Sequence, residues 1–148
     1  MEKTNQRAKA KGRWEPSQLE TLKLYKDFKD FQIYLLRAIY SKNMPKWLRY
    51  SIGERCADAV CFCVECLAVV ARTYDKGEKL AHIKLFFKGW DTIYNHICLF
   101  HEMKGITRHQ RDVILEKRVS IEEQLAAFER SLERSQVSPD QNPKEKVL

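Results

Sequence analysis

Residues 51–74 read SIGERCADAVCFCVECLAVVARTY, and the fold of the chain turns on how that stretch is taken. Between Cys56 and Ala71 the only charges are Asp58 and Glu65. Ile52, Cys56, Cys63, Leu67 and Val70 recur on one side at helical spacing, while Ala57, Val60, Cys61, Val64, Ala68 and Ala71 fill most of the rest. A helix that is apolar nearly all round must be covered on several faces. Two arrangements satisfy this: a second copy of the chain covers the outer face, or the helix is the central one of a monomer. The first predicts an oligomer interface of Ala57, Val60, Cys61, Val64 and Ala68, joined by Phe86 and Ile93 of the following helix.

Upstream, Asn43-Met44-Pro45 separates this helix, which begins near Pro45 or Ser51, from an earlier one. Proline lacks the backbone N–H and pushes the residue before it out of helical geometry. The earlier helix carries Leu24, Phe28, Phe31, Leu35 and Ile39 as one stripe and is expected to run to about Lys42, with Ser17 as its cap and Glu20 at the capping-box position. Downstream, Asp75-Lys76-Gly77 reads as a turn with glycine free to take a left-handed backbone. A third helix follows, with Leu80, Ile83, Phe87, Trp90, Tyr94 and Ile97 as the main seam and Phe86, Ile93 and Phe100 as a second, out-of-phase stripe. Lys104-Gly105 closes it, and Thr107 with Gln110 forms the capping box of a fourth helix whose buried side is Ile114, Ile121, Leu125, Phe128 and Leu132. Four helices of about 25 residues, each roughly 37 Å long and joined by short loops, imply an all-α, antiparallel up-down-up-down four-helix bundle. The expected organisation is a basic disordered arm over 1–16, the bundle over 17–136 and a disordered tail over 137–148.

The 148 residues carry 27 Lys and Arg against 20 Asp and Glu, a net charge of +7. A basic surplus favours phosphate-rich partners. Much of it lies in the first fourteen residues, where Lys9, Lys11 and Arg13 join Lys3 and Arg7 against Glu2 alone. On the helices, Lys84 and Lys88, with Lys23, Lys26, Lys29 and Arg37, can form basic stripes beside Tyr25, Tyr34 or Tyr40 as base-stacking rings. Asp27, Asp30 and Asp91 intervene, and an ordinary solvated helix face has the same composition. No run of about 18 apolar residues or signal-like leader is present, so no membrane contact and a cytoplasmic location are expected.

Cys63-Val64-Glu65-Cys66 is a CxxC in mid-helix, with Cys61, His96, Cys98 and His101 as further sulfur and nitrogen donors. A redox pair normally sits at a helix N-terminus, where the thiolate is stabilised, and Cys61 points about 200° away from Cys63 round the helix. The cysteines read better as small apolar residues, and the four histidines as surface or boundary residues. There is no nucleophile with a matching base, no phosphate-cradling glycine loop and no carboxylate pair. No catalysis, metal or cofactor is expected.

The run Asp30-Phe31 to Leu35-Leu36, then Met44-Pro45-Lys46 and Arg49-Tyr50-Ser51-Ile52-Gly53-Glu54-Arg55, resembles the opening of accessory variability determinant (Avd) proteins of diversity-generating retroelements. The long apolar second helix, Lys79-Leu80, and Gly105-Ile106-Thr107-Arg108-His109-Gln110 follow in the same order, so the resemblance covers about residues 22–132. It implies a four-helix bundle assembled as a homopentamer with a basic outer surface. Such a protein has no catalysis of its own; it binds template RNA or cDNA and the reverse transcriptase during mutagenic cDNA synthesis. On that basis Lys84, Lys88, Arg49, Arg55 and the arm residues Lys9, Lys11 and Arg13 are the expected nucleic-acid contacts. The chain departs from the pattern at Tyr94 and Cys98, near positions where the family carries arginines. The four-helix proteins encoded in ribosomal-RNA intervening sequences share the fold, and imply instead an interaction module without a reverse transcriptase partner.

Overall fold

A computed structural model describes residues 16–139, with side chains from 22 to 134. The expected arm and the Ser17 cap therefore lie outside the described residues or side chains. Four long helices make up the described chain: α1 (Pro16–Ile39), α3 (Glu54–Arg72), α4 (Lys76–Glu102) and α5 (Arg108–Pro139). A short α2 (Lys46–Leu48) and a π-helical turn (Arg49–Gly53) lead into α3. There is no strand among the described residues. α1 packs on α3 and α5, and α4 on α3 and α5, with the α3–α4 contact the most extensive. The four long helices thus enclose one core.

Its centre is aromatic. Phe28 and Phe31 of α1 meet Phe86 and Trp90 of α4, with ring centroids 5.0 to 5.7 Å apart across the core. Tilted and edge contacts at these distances suit the ring quadrupoles. The α1 stripe is buried as expected, from Leu24 to Ile39. So is that of α5, where Ile114, Ile121, Leu125, Phe128 and Leu132 all face inward.

The phase of α4 differs from expectation, while the α3 line of Cys56, Cys63, Leu67 and Val70 is buried as expected. The buried line of α4 is Ile83, Phe86, Trp90, Ile93, Ile97 and Phe100, while Leu80 and Phe87 are half-buried and Tyr94 is exposed. Both lines satisfy a three-four repeat and share Ile83, Trp90 and Ile97. Packing on α3 selects the line that continues backward to Lys79 rather than Leu80. Lys79 is 5% exposed, its Nζ donating to the Val70 carbonyl at 2.8 Å and lying 5.8 Å from the Phe128 ring centroid. On α3, Val60 joins Cys56, Cys63, Leu67 and Val70 in the core. Val60, Phe86 and Ile93 are therefore interior residues of this chain and cannot form an interface with a second copy. Ala57, Val64 and Ala68 remain partly exposed and Cys61 exposed, at spacings of four, three and four along the outer face of α3.

The element boundaries carry their own causes. The segment expected as one helix from Pro45 or Ser51 is interrupted by the π turn. There Ser51 Oγ donates to the Trp47 carbonyl at 2.7 Å, competing with the backbone for that acceptor. A Cβ on Gly53 would sit 3.0 Å from Ile39 Cγ2, so glycine lets this turn close against α1. α4 is capped by Asp75, whose Oδ2 accepts from the Glu78 N–H at 2.9 Å, and Gly77 does not take a positive φ. The expected box at α5 forms reciprocally: Gln110 N–H donates to Thr107 Oγ1 at 3.0 Å and Thr107 N–H to Gln110 Oε1 at 2.9 Å. α5 runs to Pro139, into the segment expected as tail.

Candidate nucleic-acid interface

The break at 40–45 and the loop at 103–107, far apart in sequence, meet at one end of the bundle. Met44 and Leu48 are buried against Gly105, where a Cβ would stand 2.6 Å from Met44 Sδ and 3.1 Å from Leu48 Cδ2. Arg49 ties the first segment down, its Nη2 donating to the carbonyls of Ser41 at 3.0 Å and Met44 at 3.4 Å. Between the two loops lies an open cavity of about 820 Å³, bordered by Asn43, His101, Glu102, Lys104, Ile106 and Thr107.

This end is basic. Residues 37–55 carry five Lys and Arg against Glu54, and residues 101–112 carry three against Glu102 and Asp112. Asp112 is already taken by Arg111, at 3.1 Å. Lys42, Lys46, Lys104 and Arg108 are exposed, and none is in an ion pair among the described residues. Tyr40, Trp47 and Tyr50 are exposed beside them, the last two at 59%. Free cations repel one another and persist at a surface where an anionic partner or counterions screen them. Phosphodiester oxygens are such a partner, and rings among the cations offer faces to bases.

The sequence-predicted residues are scattered relative to this end. Arg49 is half-buried and engaged with loop carbonyls, so it positions the backbone rather than offering a free donor fork. Arg55 is exposed near His96, whose pKa is lowered first by burial and then by the Arg55 charge. Lys84 and Lys88 are exposed one turn apart on α4. Lys88 lies roughly 20 Å from the end of α4 at 1.5 Å per residue, so these lysines form a separate basic spot. Lys9, Lys11 and Arg13 lie outside the described residues. Of the expected stacking rings, Tyr25 and Tyr34 are half-buried, with Lys29 and Lys117 5.7 Å from their centroids. Only Tyr40 belongs to the basic end.

Sequence reading missed Lys42, Lys46, Trp47, Lys104 and Arg108 as a group. The usable signal was lysine, tryptophan and tyrosine together at a helix break, where exposure is the rule. It also missed Arg118, which is not among the residues expected on the buried side of the fourth helix. Arg118 is 7% exposed, with its guanidinium 4.4 Å from the Trp90 ring centroid and 5.0 Å from that of Tyr94. It donates to the Trp90 carbonyl at 2.8 Å and pairs with Glu122 at 3.3 Å, while Glu122 accepts the Trp90 indole N–H at 2.8 Å. Burial lowers its pKa, opposed by the charges of Glu122 and Asp91. This closed network lets a tryptophan bury its N–H in the core.

Cys56, Cys63 and Cys66 are buried, and desolvation pushes the Cys56 thiol up to about 12 and raises those of Cys63 and Cys66. They are therefore protonated at neutral pH, and Cys63 Sγ sits 3.6 Å from the Phe86 carbonyl as a weak donor. Among the described residues no three His, Cys, Asp or Glu side chains converge as a metal site, and no helix is long and apolar enough to cross a membrane. No family model matches the chain, and neither a curated protein nor a solved structure matches it.

Proposed function

We propose that the chain is a non-catalytic nucleic-acid-binding protein whose basic end, with Lys42, Lys46, Lys104 and Arg108, holds the phosphate backbone. The observation that carries this reading is four exposed cations, in no ion pair among the described residues, that stand in or directly beside the 40–45 and 103–107 loops at one end of the bundle. Antiparallel up-down-up-down order belongs to the same reading. Its support is that contacts between neighbouring helices pair rising with falling numbers, as Asp27 with Gln124 and Asp30 with Lys117, or Val70 with Lys79 and Cys63 with Phe86. The partly uncovered α3 stripe of Ala57, Cys61, Val64 and Ala68 supports a homo-oligomer, which the Avd resemblance makes a pentamer. That resemblance also supplies the cellular role: a cytoplasmic accessory protein that presents template RNA or cDNA to a reverse transcriptase.

Salt titration of RNA binding, followed by fluorescence anisotropy, tests the electrostatic core of the reading. Affinity is expected to fall steeply as salt rises, because bound phosphates release counterions. Replacing Lys42, Lys46 and Lys104 together by glutamate is expected to weaken binding at least tenfold and to reduce the log–log salt slope by about three, about one per phosphate contact. Salt-independent affinity, or a triple variant that binds as well as the parent, overturns it.

A further inference from the structure

Trp47 and Tyr50 are the most exposed large apolar side chains described, and nothing in the fold accounts for them. Trp47 takes part in no aromatic pair among the described residues. Tyr50 has only the Arg49 guanidinium, 5.7 Å from its centroid. Trp47 at the end of α2 and Tyr50 in the π turn are both exposed, while Leu48 between them is buried and Arg49 half-buried, so the segment turns its other side to the bundle. That segment is fixed from beneath: Leu48 is buried against Gly105, Arg49 holds the preceding loop, and Gly53 closes on Ile39. The rings are thus presented on a rigid base, flanked by Lys46 and Lys42.

We infer that Trp47 and Tyr50 form a stacking platform that makes this end of the bundle a reader of single-stranded nucleic acid. The inference rests on the nucleic-acid reading above and narrows its substrate class. In a duplex both faces of each base are covered by its neighbours, and a basic surface meets only phosphates. An unpaired segment offers free base faces to the rings while its phosphates reach Lys42, Lys46 and Lys104. Stacking accepts every base, so the platform selects strandedness rather than sequence. A rigid base matters because rings already held in place lose little further freedom on binding.

The test compares unstructured 15-nucleotide RNA and DNA strands with blunt duplexes of the same length, using the full chain. Single strands are expected to bind at least tenfold tighter than duplex. Trp47→Ala is expected to weaken single-strand binding by about five- to a hundredfold, the range for loss of one stacked base. It leaves duplex binding within twofold, and Trp47→Phe retains most of the affinity. Single strands are also expected to quench tryptophan fluorescence, and Trp47→Phe to remove most of that quenching. A thermal melt reports folding of each variant independently of binding. Equal loss on single strand and duplex, or no loss for Trp47→Ala, overturns the platform while leaving the nucleic-acid reading intact. A change of oligomeric mass in Trp47→Ala assigns the rings to contacts between copies and also overturns it. Absence of binding to every oligonucleotide by the parent chain removes both readings. The RNA and DNA arms separately identify which sugar is preferred.

Discussion

Among single residues, desolvation acts on two cationic side chains in the bundle, Arg118 and His96. Arg118 stands where the α5 stripe between Ile114 and Ile121 calls for an apolar side chain, and it fills that position by covering Trp90 and completing the bonds of Glu122. His96 is half-buried against Phe100, its Nδ1 buried without a partner, and Arg55 adds a repulsive charge. Its folded pKa therefore lies below the ordinary value of 6.5. The unfolded chain then takes up a proton more readily than the native one, so this contribution to stability is fully present above pH 6.5 and is lost as pH falls below it. Urea unfolding is expected to give a lower midpoint at pH 5.5 than at pH 7.5, and His96→Gln to flatten that difference. A variant with undiminished pH dependence assigns the effect elsewhere.

At the scale of an element, the end of α4 shows how a helix stop is shared between two residues. The Lys104 N–H donates to the His101 carbonyl at 3.0 Å and the Gly105 N–H to the Phe100 carbonyl at 2.8 Å, a Schellman arrangement. The left-handed residue is Lys104, with φ 62°, and not the glycine that follows it. Gly105 is needed for space, because Met44 and Leu48 occupy the volume a side chain would take. Lys104→Gly is expected to stabilise the fold by about 1 kcal/mol, since a non-glycine left-handed residue costs roughly that much. Gly105→Ala is expected to destabilise it by about 1 to 3 kcal/mol through overpacking. Chemical denaturation of the two variants checks both signs, and the opposite pattern removes this account of the loop. The sequence marked Lys104-Gly105 correctly as a stop. Which of the two carries the strain depends on Met44, some sixty residues earlier, and local sequence does not contain that.

For the whole molecule, the outer face of α3 is an apolar stripe that the bundle leaves partly uncovered. Three of its cysteines are sealed in the core as protonated thiols, whereas Cys61 stands exposed among Ala57, Val64 and Ala68. If copies of the chain pack through this stripe, a maleimide should modify Cys61 rapidly in dilute protein and slowly at concentrations where light scattering reports a multimer. Cys56, Cys63 and Cys66 are expected to resist at both. Cys61→Arg is expected to return the assembly to monomer without loss of helix content. A monomer mass throughout, with Cys61 equally reactive at every concentration, removes the assembly from the proposal.

Much of the architecture was legible because it is local. The break at Asn43-Met44-Pro45, the Thr107–Gln110 box and the buried stripes of α1 and α5 follow from proline stereochemistry, side-chain capping and the 3.6-residue period, all properties of neighbours along the chain. Tertiary structure alone decided the phase of α4, because the Phe86 and Phe87 lines are nearly equal in apolar content and only the fit against α3 separates them. It alone turned Val60, Phe86 and Ile93 from expected surface into core. The expected up-down-up-down order already sets the 40–45 and 103–107 loops at one end, but only the packing decided that Lys42, Lys46, Lys104 and Arg108 stand there exposed and outside every ion pair of the described residues. A charge has no periodicity to betray its partners, so its neighbours across the fold are known only once the helices have packed.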